Sequence, residues 1–291
     1  MPIQNQTEKT INYPLISIIT AVRNGAPYVG ALIESVLNQD YSNVEHIVID
    51  DGSNDEGATE AILERYPHLR WWSRENKGQY ATQNEGLLAA RGDIIGIISA
   101  DDVYITPNTL SRVVEYWRTH ASCNLVYGKT LHMDQQGILL PYQTDTTGNY
   151  PAWFLKYNPY IQHCSLFVSR DFILRNDIWF DASFRYAGDW DWIMRLFRSD
   201  PQYGYLPYPL SVIRDHPHQI SRTALGKAII AEHVRVCRIH GGSYPLHFLV
   251  RKLLQYRAMF IKAWSTFRKQ GVRGFFDLGK DWLYRRKIIR G

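Results

Sequence analysis

Residues 15–53 read LISIITAVRNGAPYVGALIESVLNQDYSNVEHIVIDDGS, and this stretch decides the fold. Leu15 to Thr20 is a short, apolar, β-branched run, which predicts a buried strand. Asn24-Gly25 and Pro27 mark a turn. Val29, Leu32, Ile33, Val36 and Leu37 then recur at helical spacing on one face. Val44 to Asp50 predicts a second strand, closed by Asp-Gly-Ser.

The same alternation continues outward. Ile62, Leu63 and Tyr66 suit a helix, Leu69 to Ser73 a short strand, Tyr80 to Ala90 a helix and Ile94 to Ser99 another buried strand. Helices alternating with continuously apolar strands predict an α/β fold with a mainly parallel sheet covered on both faces. Ligands of such sheets bind beyond the carboxyl ends of the strands. The second half is less regular. Thr106-Pro107 opens a helix through Val113, Val114 and Trp117; Asn124 to Tyr127 and Gln162 to Val168 suit strands; Asp189 to Phe197 suits a helix. After Ser221 the pattern is helical and basic, so a boundary is expected near Arg222 to Gly226, dividing the chain into 1–222 and 223–291.

The 291 residues are 45% hydrophobic, enough for a full core. Cys123, Cys164 and Cys237 are widely spaced and lack CxxC spacing, which argues against a disulfide framework or a zinc site. The polar beginning has no apolar h-region, and no run of apolar residues suits a membrane span. A cytoplasmic location, in solution or at the cytoplasmic face of a membrane, is expected. The net charge of +5 is uneven. Residues 241–291 hold twelve Lys or Arg against Asp277 and Asp281, which leaves the rest of the chain acidic. An acidic body without a recognition motif argues against nucleic-acid binding.

Four polar clusters fall at strand ends or a helix start: Thr20 to Gly25, Asp50 to Ser53, Ser99 to Asp102 and Gly188 to Asp191. Carboxylates gathered on one sheet edge repel, and a divalent cation would relieve that cost. Asp101-Asp102 suits Mg²⁺ or Mn²⁺, which prefer oxygen ligands and would steady a departing diphosphate; the pair equally suits a turn. Asp50-Asp51 reads as turn chemistry or as an acceptor for a base N–H. Asp189 suits a general base, and equally a helix start. Trp71, Trp72, Trp190 and Trp192 suit a core or a sugar face. His216 and His218 could reach a metal or phosphate, with His218 set beside Asp102 as candidate metal ligand.

Together these segments resemble the family 2 glycosyltransferases of the GT-A fold. The resemblance rests on residues 15–57, on WSRENKGQYATQNEGLLAARGDIIGIISADDVY, on HCSLFVSRD and on FDASFRYAGDWDWIMRL, and covers roughly Pro14 to Arg222. It implies a GT-A, Rossmann-like catalytic domain over 1–222 with a basic, amphipathic helical extension over 223–291. It also implies a nucleoside-diphosphate sugar donor, UDP-linked by expectation, and inverting transfer of one sugar to an acceptor hydroxyl. Thr20, Val22, Arg23 and Asn24 would line the nucleotide pocket, Asp51 would bind the base, and Lys77 and Asn84 would lie along the nucleotide or donor sugar. Asp101 would sit near the ribose or sugar, and Asp102 would hold Mg²⁺ or Mn²⁺. Asp189 aligns with the catalytic base and Asp191 is its substitute. Family members often carry Glu where this chain has Gly188. The QxxRW motif and membrane helices of processive synthases are missing, so one sugar per acceptor is expected.

A carbohydrate or lipid-linked acceptor is the expected partner, in polysaccharide or glycolipid assembly. In the tail, Phe248, Leu249, Leu253, Tyr256 and Phe260 interleave with Arg251, Lys252, Arg257 and Lys262. That pattern suits an anionic membrane surface, or a helical cap on the catalytic domain. A non-catalytic nucleotide-sugar-binding or scaffolding protein that keeps the fold is the alternative function.

Overall fold

The structure, a computed structural model, describes residues 13–140, 149–217, 219–220 and 226–254, together with 256, 260, 264 and 268. The expected division at 222 and the candidate ligand His218 fall outside them. The elements in order are β1 (Ile16–Val22), α1 (Val29–Leu37), β2 (Val44–Asp51), α2 (Ala58–Leu63), β3 (Arg70–Arg74), α3 (Gln79–Ala89), β4 (Ile94–Ile97), β5 (Val103–Tyr104), α4 (Thr109–Thr119), β6 (Leu125–Met133), β7 (Leu166–Ser169), α5 (Arg170–Arg175), α6 (Gly188–Arg198), β8 (Tyr203–Arg214) and α7 (Gly226–Ile239). Short 3₁₀ turns cover Ala152–Lys156 and His163–Ser165. A further helical stretch begins at 244.

The strands form one eight-stranded sheet in the order β3-β2-β1-β4-β7-β6-β8-β5. The pairings β1 with β2 and β4, β2 with β3, and β6 with β8 are parallel; those of β7 with β4 and β6, and of β5 with β8, are antiparallel. The expected α/β architecture is therefore present. β1 shows why its sequence is apolar throughout. Ile16 and Ile18 join one hydrophobic cluster and Ile19 joins another, so both faces of the strand are covered. Each such side chain fully buried contributes roughly 1.5–3 kcal/mol.

β8 departs most from the sequence reading. Pro207 and Pro209 argue against a strand there, because proline gives no ladder N–H. The strand runs through both, and its register against β6 slips at Gly128/Lys129 and Lys129/Thr130, with Lys129 opposite Pro209. The slip takes up the prolines and lets β8 carry Arg214 to the loop after β4.

α7 belongs to the same packed body. Val236 and Cys237 lie in the main core cluster, and the Arg235 guanidinium donates to Asp181 at 2.8 Å. Cys123, Cys164 and Cys237 are buried free thiols. Among the described residues no helix is long and apolar enough to cross a membrane.

Candidate active site

The parallel half of the sheet puts the ends of β1, β2 and β4 side by side. Beyond β1 the chain turns at Asn24, which takes a positive φ of 52°. Its N–H donates to Ser53 Oγ at 2.8 Å, its Nδ2 donates to Asn54 Oδ1 at 2.7 Å, and the Asn54 N–H donates back to Asn24 Oδ1 at 2.8 Å. Arg23 Nε donates to the Gly52 carbonyl at 3.2 Å. These bonds lock the β1 and β2 loops into one rim.

Asp50 and Asp51 divide the work at that rim. Asp50 accepts from the Ser53 N–H at 3.2 Å and from Ser73 Oγ at 2.7 Å, so it shapes the turn. Asp51 pairs with Arg74 and accepts from the N–H groups of Lys77 at 2.8 Å and Gly78 at 3.0 Å. It thereby seats the 74–78 loop against the end of β2, while the Lys77 side chain stays exposed. Gly52 is required here: its φ is +70°, and a Cβ would come 2.8 Å from the Asn76 nitrogen.

Other residues expected at the nucleotide have their side chains elsewhere. Thr20 is fully buried with its hydroxyl 3.2 Å from His46 Nε2, and Val22 packs in the cluster of Val29 and Ile33. Period-two alternation explains both, since residues two apart in a strand share a face and this face is covered. Only the backbones of Thr20 and Val22 remain for a ligand. The Asn84 amide is also committed: Nδ2 donates to the Phe180 carbonyl and Oδ1 accepts from the Phe180 N–H, each at 2.9 Å. It staples α3 to the segment leading into α6.

The second cluster lies after β4. Asp102 is 3% exposed and accepts from the Arg214 N–H at 3.1 Å. Burial and the neighbouring Asp101 charge push its carboxyl well above the usual range, against the Arg214 N–H and the Ser99 hydroxyl. Asp101 Oδ2 stands 2.9 Å from His216 Nε2. The His216 ring lies against Tyr28 at 4.8 Å, and the Arg214 guanidinium covers the same Tyr28 at 5.0 Å. Of the two histidines named from the sequence, His216 is among the described residues and stands at the carboxylates. A buried carboxylate beside a second carboxylate and an imidazole is a donor set that fits Mg²⁺ or Mn²⁺. Among the described residues no three His, Cys, Asp or Glu side chains already stand in metal-binding geometry. A cation here would complete its shell with water and diphosphate oxygens, as Mg²⁺ commonly does.

The third cluster opens α6. Asp189 is one-third exposed, with Oδ1 accepting from the Trp190 N–H at 2.8 Å and Oδ2 3.5 Å from His163 Nδ1. Burial opposes its charge, but His163, the Trp190 N–H and His233 prevail and hold its carboxyl below the usual range. Asp191 has a different setting. It is fully buried, with one oxygen 2.6 Å from Arg195 Nε and the other 2.9 Å from His240 Nε2. Both oxygens are occupied, so Asp191 ties α6 to the end of α7 and does not substitute for Asp189. Trp190 and Trp192 are core residues.

Gly188 is explained by Tyr80. A Cβ at 188 would fall 2.5 Å from Tyr80 Cε2, so the ring fills the space a side chain there would need. Asp102 and Asp189 are linked through Ser99 and His163. The Asp102 N–H donates to the Ser99 carbonyl at 3.1 Å, Ser99 Oγ is 3.1 Å from His163 Nε2, and His163 Nδ1 faces Asp189. His163, Tyr80 and Arg214 had no separate signal in the sequence, because each gains its role only from a distant partner.

A fold of this kind, with carboxylates at the ends of β2 and β4 and at the start of α6, is the class of nucleotide-sugar transferases. The family model for glycosyl transferase family 2 matches residues 17–173, more than half of the chain, and the protein belongs to that family. An uncharacterized glycosyltransferase of Rickettsia bellii is 32% identical over 67% of this chain and 29% of its own length. Chondroitin synthase of Escherichia coli is 28% identical over 68% of this chain and 28% of its own length. The chain thus spans less than a third of either relative. S. aureus TarS, solved with UDP-GlcNAc, superposes with a TM-score of 0.64 at 19% identity, over 78% of this chain and 66% of that one. A Pyrobaculum calidifontis mannosyltransferase, solved with GDP-Man and Mn²⁺, superposes with a TM-score of 0.59 at 17% identity, over 96% of this chain and 83% of that one. These two likenesses show the GT-A fold.

Proposed function

We propose that the protein is an inverting glycosyltransferase of hexosyltransferase type that moves one sugar from a UDP-sugar to an acceptor hydroxyl. The observation that carries this reading is the chain of contacts that runs from Asp102 through Ser99 and His163 to Asp189. Asp189 takes the acceptor hydroxyl proton as that oxygen attacks the anomeric carbon, and the bond from that carbon to the diphosphate breaks. Its lowered carboxyl keeps it ionised at neutral pH, as a base requires. The rim of Arg23, Asn24, Asp51 and Lys77 faces the nucleotide, with Asp101 toward the ribose or sugar. A divalent cation bound at Asp102 supplies charge neutralisation of the leaving diphosphate. The test is Asp189→Asn, expected to lower transfer from a UDP-sugar by about 10³-fold with UDP affinity retained. Full activity in that variant removes Asp189 from the role.

A polysaccharide or lipid-linked acceptor at a membrane face suits the far end of the chain. Leu246, Leu249, Leu253, Tyr256 and Phe260 recur at helical spacing and are all exposed, each at least 40%. Arg251 and Lys252 flank them, and no acid occurs between Glu232 and Asp277. A second copy of so cationic a helix would be repelled, whereas anionic lipid would be attracted. Flotation with phosphatidylglycerol vesicles should weaken sharply in Leu249→Glu/Leu253→Glu; equal flotation excludes this contact.

A further inference from the structure

We propose that His163 is a positioning residue for Asp189, holding the carboxylate in one orientation and anchored by Ser99. The inference rests on reading Asp189 as the base and goes beyond it by naming what sets that base.

The geometry is bilateral. One ring nitrogen of His163, Nε2, meets Ser99 Oγ at 3.1 Å; the other, Nδ1, faces Asp189 Oδ2 at 3.5 Å. Ser99 holds one end of the ring, and Nδ1, which makes no other hydrogen bond, is left facing Asp189 at ion-pair distance. The ring is only 13% exposed. The local chain explains why it stays there. His163 opens the 3₁₀ turn His163–Ser165, whose next residues are buried and lead straight into β7 in the middle of the sheet. Ser99 lies two residues beyond the end of β4, the neighbour of β7. Two adjacent central strands therefore fix Ser99 and His163 relative to each other, and a helix start delivers Asp189 to them. Asp189 has few other restraints: Oδ1 accepts from the Trp190 N–H, and Oδ2 faces His163. Without the ring, Oδ2 would rotate toward solvent, and a displacement of about 1 Å at a reacting group can cost about 10²-fold in rate.

The charged surroundings of Asp189 come from three further elements. Tyr80 of α3 has its phenol at the backbone of Gly188 and Asp189, and Asp189 and Glu232 raise its pKa beyond what burial does. His233 of α7 is buried, its pKa lowered to about 4, so it is neutral at pH 7. Glu232 of α7 accepts from the amides of residues 185–187. Among these groups, His163 is the side chain at the free oxygen of Asp189. It also shares Ser99 with the Asp102 loop, which links the acceptor-side carboxylate to the donor side.

The test pairs an activity measurement with one that needs no turnover. In ¹³C-Asp-labelled protein the Asp189 carboxyl resonance, assigned by its loss in D189N, is titrated in wild type, H163F and H163Q. The proposal expects the midpoint to rise in H163F and to return toward wild type in H163Q, whose amide N–H can still donate. It expects kcat for UDP release from a UDP-sugar to fall about 10–100-fold in H163F, with KM for the donor unchanged and partial recovery in H163Q. An unchanged Asp189 midpoint, or an unchanged kcat, in a folded H163F protein overturns it. Failure of the base reading is seen separately, as full activity in D189N.

Discussion

Asp102 and Asp189 are joined through Ser99 and His163, yet their surroundings shift their carboxyls in opposite directions. Asp102 is sealed in, with Asp101 beside it, and its carboxyl resists ionisation. Asp189 opens to solvent at a helix start beside His163 and ionises readily. Two carboxylates pushed apart in this way suit different tasks, and under the proposed function one would hold a cation and the other would take a proton. The contrast arises from position in the fold rather than from residue type.

The most direct way to break the contrast is Asp102→Asn. Losing the cation's charge from the departing diphosphate should lower transfer by about a thousandfold and abolish the effect of Mn²⁺ on UDP affinity in calorimetry. Near-normal metal-dependent turnover would place the cation elsewhere. The next effect concerns the Asp189 side. Gly188→Val drives a side chain into Tyr80, and overpacking of this kind costs about 1–3 kcal/mol. Chemical denaturation should show that loss, and Tyr80→Ala should recover part of it; an additive double mutant would mean the two positions do not meet.

A smaller effect sharpens the comparison through stability. Asp102 has a raised folded pKa, so as pH climbs past the unfolded value of about 3.9 the unfolded chain releases its proton first and the fold loses stability. At neutral pH the metal-free carboxylate is a net cost. Asp102→Asn should then raise Tm without metal at pH 7 by about 2–4 °C, while the same change removes activity. A fall in Tm would contradict the assigned burial. Asp189 has the opposite sign. Its lowered pKa contributes stability that is complete above about pH 3.9 and lost as pH falls through the folded value. The smallest expected signal is accordingly an absence: no acid limb from Asp189 in the pH–rate profile between pH 5 and 8, tested by comparison with H163F.

How much of this was legible beforehand follows the periodicity. β1 and β4 carry nearly continuous apolar runs, β2 a shorter one at Ile47 to Ile49, and α1 helical spacing, so their existence and order could be read directly. β8 could not, because Pro207 and Pro209 hide a strand whose partner slips in register to accommodate them. The carboxylates were visible as strand-end pairs, but their duties were not. Thr20 and Val22 sit at the end of the right strand with their side chains turned into covered packing. Asn84 was read toward the donor, and its amide is spent on the Phe180 backbone. His216 gains its place beside Asp101 only because β8 ends there, a long-range contact that no local pattern announces. Asp189 and Asp191 differ by less than a helical turn, which is enough to send one toward His163 and the other into the body.

Glu232 bears on where this protein can be cut. Its two oxygens accept from the amides of Arg185, Tyr186 and Ala187, the three residues just ahead of the α6 start. A shortened version ending near residue 225 would strip those amides of their acceptor, uncover the pocket that Val236 fills and free the Asp191 carboxylate from His240. The smallest piece able to keep its active centre therefore reaches past His240, and dissecting the basic tail from the enzyme has to begin downstream of that point.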